Sequence, residues 1–271
     1  MRRLALCLAV VGLASNFHTA RAEPVDLELV LAIDVSASID KQEAALQRAG
    51  TIAALTDPEV IKTIQAGLLG KIAVTYMEWA GSERVTLIAD WAVISDAKSA
   101  KAFARRVAKA PLDVNLFTSI SFALGYAARK FENNGFEGTR RVIDISGDGP
   151  NNQGLLVDQM RNRIVRAGIT INGLPIVNNK PGRYGWPPYP QLAEYYEDCV
   201  IGGQGAFLVV ADTHKDFARA IRRKMLLEIA GHRPSSSPRA KIWRAAKKRR
   251  AKIRCDIGEL RLEQYDNYDD Q

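Results

Sequence analysis

Three short stretches hold residues whose types could do chemistry together. They are Asp34, Ser36 and Ser38 in "LAIDVSASID", Thr118 in "NLFTSI", and Asp148 in "ISGDGPNN". The set offers two carboxylates and three hydroxyls, with no sulfur and no imidazole. Oxygen-only donors suit a hard divalent cation that keeps part of its water, magnesium first, with manganese or calcium as alternatives. Alternate residues of an extended segment face the same way, so Asp34, Ser36 and Ser38 can converge on one point. Two carboxylates leave such a cation short of ligands, and an acidic oxygen from a partner could complete its shell. Each residue also has a plainer use. Ser38 or Asp40 can cap the following helix, Thr118 or Ser119 the next one, and Asp148 can be a turn aspartate. Taken singly, those uses suffice; taken together, in chain order and at equivalent strand ends, the stretches argue for one shared site.

The elements that would position them follow from hydrophobic periodicity. The apolar run Val25–Asp34 reads as a central strand covered on both faces, and residues 39–55 as a helix. Residues 71–80 and 84–94 read as two strands whose short link makes them an antiparallel hairpin. Helices are predicted over 95–109, from Thr118 onward, from the turn after Asp148 to Ala167, before Cys199, and from Asp212 or Thr213 to Ala230. Strands are predicted over 140–146, 168–176 and 205–211. Strands alternating with helices define an α/β fold with a Rossmann-like open, mostly parallel sheet, one antiparallel edge strand and helices on both faces. In such sheets ligands gather beyond the carboxyl ends of the strands, where Asp34 and Asp148 fall.

The wording of these stretches resembles a known family. "LVLAIDVSASID", Thr118 and "IDISGDGPNN" are similar to the von Willebrand factor A domain and its metal-ion-dependent adhesion site (MIDAS). The resemblance implies that Asp34, Ser36, Ser38, Thr118 and Asp148 hold a divalent cation, and that a partner protein's carboxylate completes the coordination. "FEGTRRVIDISGDGPNNQG", "GITINGLPI" and "YYEDCVIGGQGAF" look closer still to a bacterial secreted family of unknown function with that fold. The likeness covers about residues 25–230. It implies a non-enzymatic protein-binding module. Asp144, inside its strand, is left to a buried structural role or to support of the site.

A magnesium-dependent phosphohydrolase of the haloacid-dehalogenase type is the competing reading, since those enzymes also end an apolar strand on aspartate. They need a second aspartate two residues on as general acid, and here that residue is Ser36. No serine-hydrolase elbow or phosphate-binding Gly-Lys-Ser/Thr loop is present either.

The formal charge of +8 over 271 residues belongs to the chain ends. Residues 1–22 carry three Arg and no acid, residues 232–271 carry 11 basic and six acidic residues, and the stretch between holds 24 of each. A balanced body argues against nucleic-acid binding. Residues 1–22 read as a signal peptide cleaved before Glu23, which implies a periplasmic or extracellular protein, and no later segment resembles a transmembrane helix. Residues 232–271 read as a linker and a basic, disordered tail, which could contact an anionic surface or, through Asp266–Asp270, the protein's own cation. An oxidising compartment permits a Cys199–Cys255 bridge, but one cysteine lies in the body and the other in the tail, so unrelated thiols are expected. His214 and His232 lack the paired spacing of a zinc site.

Overall fold

The computed structural model describes residues 21–177, 181, 187–231, 242–243 and 251–269, of which 242–243 and 266–269 are described by their backbone alone. The signal-peptide reading, the serine-rich linker and the Asp266–Asp270 side chains lie outside the described residues.

A seven-stranded sheet runs β4-β3-β2-β6-β7-β8-β9. Its strands are β2 (Glu28–Asp34), β3 (Ile72–Trp79), β4 (Val85–Ile94), β6 (Arg141–Gly147), β7 (Thr170–Pro175), β8 (Leu208–Val209) and β9 (Ile242–Trp243). β2 pairs in parallel with both β3 and β6, and β6 with β7. β4 is the expected antiparallel edge, with a register shift beside Tyr76. Two short strands, β1 (Glu23–Val25) and β5 (Phe136–Gly138), form a separate parallel pair. The strand predicted over 205–211 shortens to the two residues of β8.

Every residue of β2 is buried, as a strand covered on both faces must be. Its alternate side chains divide between two cores. Leu29, Leu31 and Ile33 pack under α1 (Lys41–Leu55), α2 (Pro58–Gln65), α3 (Ala97–Lys109) and α7 (Phe217–Ile229). Val30 and Ala32 pack under α4 (Ile120–Arg129), α5 (Val157–Arg166), α6 (Leu192–Tyr195) and a π-helical turn, Tyr196–Val200. The chain turns back on itself between β2 and β6. That switch point, at the carboxyl ends of the two strands, is the crevice in which Asp34 and Asp148 emerge.

Two expectations are corrected here. Cys199 and Cys255 are joined in a disulfide rather than standing as unrelated thiols. The tail is not wholly a disordered extension, because β9 pairs antiparallel with β8 and α8 (Ile257–Asp269) is helical. Ile253, Cys255 and Ile257 are partly buried against the core under α4 and the π turn. Periodicity missed them because basic residues dominate the stretch and the apolar contacts number only a few.

Candidate metal site

The site is built from three loops at the switch point. The first leaves β2 at Asp34, which is fully buried. Ser36 donates its backbone N–H to Asp34 Oδ1 at 2.7 Å, curling the chain so that the Ser36 and Ser38 hydroxyls lie 3.1 Å apart. Ser38 does not cap α1. Asp40 does, in a reciprocal capping box with Glu43, which leaves the Ser38 hydroxyl for the site.

The second loop brings Thr118. Arg48 on α1 clasps Glu78 of β3 through two nitrogens and donates further to the carbonyls of Ala110 and Pro111, anchoring the loop's start. Asn115 then bridges to Ser36. Phe117 takes a left-handed backbone conformation, φ 63°, uncommon for a residue of its size. Ser119, not Thr118, caps α4, so the Thr118 hydroxyl is not used in capping.

The third loop follows β6. Ser38 Oγ donates to Asp148 Oδ1 at 2.5 Å, which joins the first and third loops. Thr118 and Asn152 exchange two 2.9 Å bonds, the Thr118 N–H to the Asn152 side chain and the Asn152 N–H to the Thr118 carbonyl. Thr118 Oγ1 lies 3.9 Å from where a Cβ on Gly149 would stand. All of the predicted ligands, Asp34, Ser36, Ser38, Thr118 and Asp148, therefore belong to loops that are bonded to one another.

Asp144 does not join them. It points to the opposite face of β6, where Lys224 Nζ lies 2.5 Å from Asp144 Oδ1 and 2.6 Å from Glu228 Oε1. Of the two roles left open for it, the structural one holds.

Electrostatics favour a cation at the three-loop cluster. Burial first, and then the Asp148 charge, hold the Asp34 carboxyl well above its ordinary range. Burial raises Asp148 to about 6, against the opposing hydrogen bond from Ser38. Asp34 Oδ2 is buried with no hydrogen-bond partner among the described residues. A buried carboxylate oxygen without a partner costs free energy that a bound cation would offset. Among the described residues no group of three or more His, Cys, Asp and Glu side chains forms a metal cluster, so any cation here must accept hydroxyl oxygens. The donor set fits such an ion. Ser36, where the phosphohydrolase reading needs a second carboxylic acid, offers a hydroxyl instead, and its N–H closes the turn onto Asp34.

The sequence reading missed one neighbour. Gly147 sits between Asp34 and the π turn, and a Cβ on it would stand 2.7 Å from the Tyr196 hydroxyl and 2.8 Å from Asp34 Oδ2. Tyr196 is in a tyrosine pair read only as part of a short helix; its one signal was an aromatic hydroxyl beside Glu197 and Asp198.

Sheet order, helix layers and the three-loop crevice define a von Willebrand factor A-like fold. Several solved structures share that shape. A von Willebrand factor type A protein from Catenulispora acidiphila gives a TM-score of 0.52 at 16% identity, over 76% of this chain and 43% of that one. The pilus adhesin SpaC from Lactobacillus rhamnosus GG gives 0.55 at 12% identity, over 77% and 31%. Proximal thread matrix protein 1 from the mussel byssus, in a structure whose MIDAS motif is occupied by zinc, gives 0.50 at 13% identity, over 77% and 46%. This chain thus spans less than half the length of each. The search of curated proteins returned no match. The chain belongs to the family described as "Protein of unknown function (DUF1194)", which matches residues 24–233.

Proposed function

We propose that this is a non-enzymatic protein-binding module of the periplasm or cell exterior that grips its partner through a divalent cation, magnesium before manganese or calcium. Asp34, Ser36, Ser38, Thr118 and Asp148 hold the ion, and a carboxylate of the partner protein completes its shell. The observation that carries this reading is the buried Asp34 carboxylate, whose Oδ2 lacks a partner among the described residues beside a second carboxylate and three hydroxyl-bearing residues. A bound cation would supply the positive charge that two adjacent carboxylates lack, and an open coordination position for an acidic oxygen. Leu116 and Phe117, next to Thr118, and Leu155, on the loop beyond Asp148, are exposed apolar side chains that give a partner dry ground beside the ion. No helix among the described residues is long and apolar enough to cross a membrane.

Calorimetric titration with MgCl2 tests the site. The wild type is expected to bind, and Asp34→Ala to lose binding while keeping its fold by circular dichroism. A parallel pull-down from periplasmic extract, with and without EDTA, tests the partner. A captured protein that survives EDTA and is retained equally by Asp34→Ala would sink the cation bridge.

A further inference from the structure

The Tyr196 side chain is fully buried, and its hydroxyl has no hydrogen-bond partner among the described residues. A buried phenol without a partner costs free energy, and an adjacent acceptor is the usual explanation. Asp34 Oδ2 is in the same condition, and both oxygens lie close to where a Cβ on Gly147 would stand, at 2.7 and 2.8 Å. Any residue larger than glycine at 147 would push its Cβ against both of them. A phenol carries an O–H to donate, and a carboxylate oxygen is an acceptor.

The backbone that carries Tyr196 is unusual as well. It opens the five-residue π turn Tyr196–Val200, a geometry found often at functional sites. Cys199 in that turn is bonded to Cys255, and Asp198 accepts the Ile253 N–H at 2.9 Å. Further along the tail, Glu259 accepts from the Asn151 amide at 2.7 Å, on the loop that follows Asp148. The tail therefore clamps both the turn behind Asp34 and the loop beyond Asp148.

We propose that Tyr196 is a positioning residue of the cation site, its O–H donating to Asp34 Oδ2 across one bridging water and so fixing the carboxylate for the ion. The disulfide-held π turn keeps that hydroxyl in place. This inference rests on the cation reading above and adds to it a residue outside the three ligand loops. Groups that orient metal ligands typically change metal affinity by about 10- to 100-fold when removed.

The test is Tyr196→Phe, which deletes one oxygen and keeps the ring, titrated with MgCl2 beside the wild type and Asp34→Ala. Affinity is expected to drop by about tenfold or more, with the thermal midpoint of the metal-free protein unchanged or raised. A Cys199→Ala/Cys255→Ala pair should show a smaller loss in the same direction. As a measurement independent of any variant's folding, wild-type protein labelled at the tyrosine ring carbons should show a Tyr196 NMR resonance that shifts on adding MgCl2. Wild-type binding with an unchanged affinity in Tyr196→Phe, or a static Tyr196 resonance, overturns this role and leaves the cation site standing. Failure of the wild type itself to bind overturns both.

Discussion

At the residue scale, the proposed cation would compete with protons for the two site carboxylates. Burial pushes Asp148 up to about 6 and holds Asp34 well above its ordinary range, because it penalises their charge. Cation binding must displace those protons, so affinity should be flat at alkaline pH and weaken as pH falls through about 6, by roughly tenfold per unit for each proton displaced. Titrations with MgCl2 at several values between pH 5 and 8 check this; a flat profile would mean that these carboxylates do not hold the ion. The metal-free fold should show the opposite trend. A carboxyl raised above its unfolded value of about 3.9 favours folding at low pH, and its contribution is lost as pH climbs through the folded value, near 6 for Asp148. Magnesium should therefore raise the thermal midpoint most at neutral and alkaline pH.

At the element scale, α7 is held to the sheet partly by charge. Lys224 is fully buried between Asp144 of β6 and Glu228 one turn on, and Asn172 of β7 donates to Glu228 at 3.0 Å. Burial first, then the Glu228 charge, raises Asp144 to about 8. Lys224→Met strands the two acids and should cost about 3–5 kcal/mol in urea unfolding. Adding Asp144→Asn to that variant should recover part of the loss, because it removes one of the stranded groups. This cluster also shows why alternation along β6 was not enough to assign Asp144. The pattern gave the face but not which helix would cover it, and the covering helix supplied the lysine.

At the scale of the whole molecule, the chain closes on itself through its tail. The disulfide spans 56 residues of sequence, and α8 rests with Gly258 so close to the Asn151 carbonyl that no side chain would fit there. Breaking the bond should free the segment before it unfolds the domain. In Cys255→Ser, or after reduction, the amides of residues 253–261 should exchange hydrogen faster while those of β2 and β6 stay protected, as read by mass spectrometry. Equal protection of the tail in both states would show that packing alone holds it.

Asp34, Ser36, Ser38, Thr118 and Asp148 were legible in the sequence because local rules place them. A buried strand must end somewhere, alternate residues share a face, and a parallel sheet sends its carboxyl ends to one edge. The apolar runs of β2, β3, β6 and β7 were legible for the same reason, since periodicity needs only near neighbours. Tyr196, the Asp144–Lys224–Glu228 triad and the Cys199–Cys255 bond were decided by tertiary structure alone. Each joins residues far apart in the chain, and no local pattern encodes which distant side chain will meet a given face. The short strand β9 and the docked tail belong with them: their contacts are few, and they are made to surfaces that exist only once the distant body has folded.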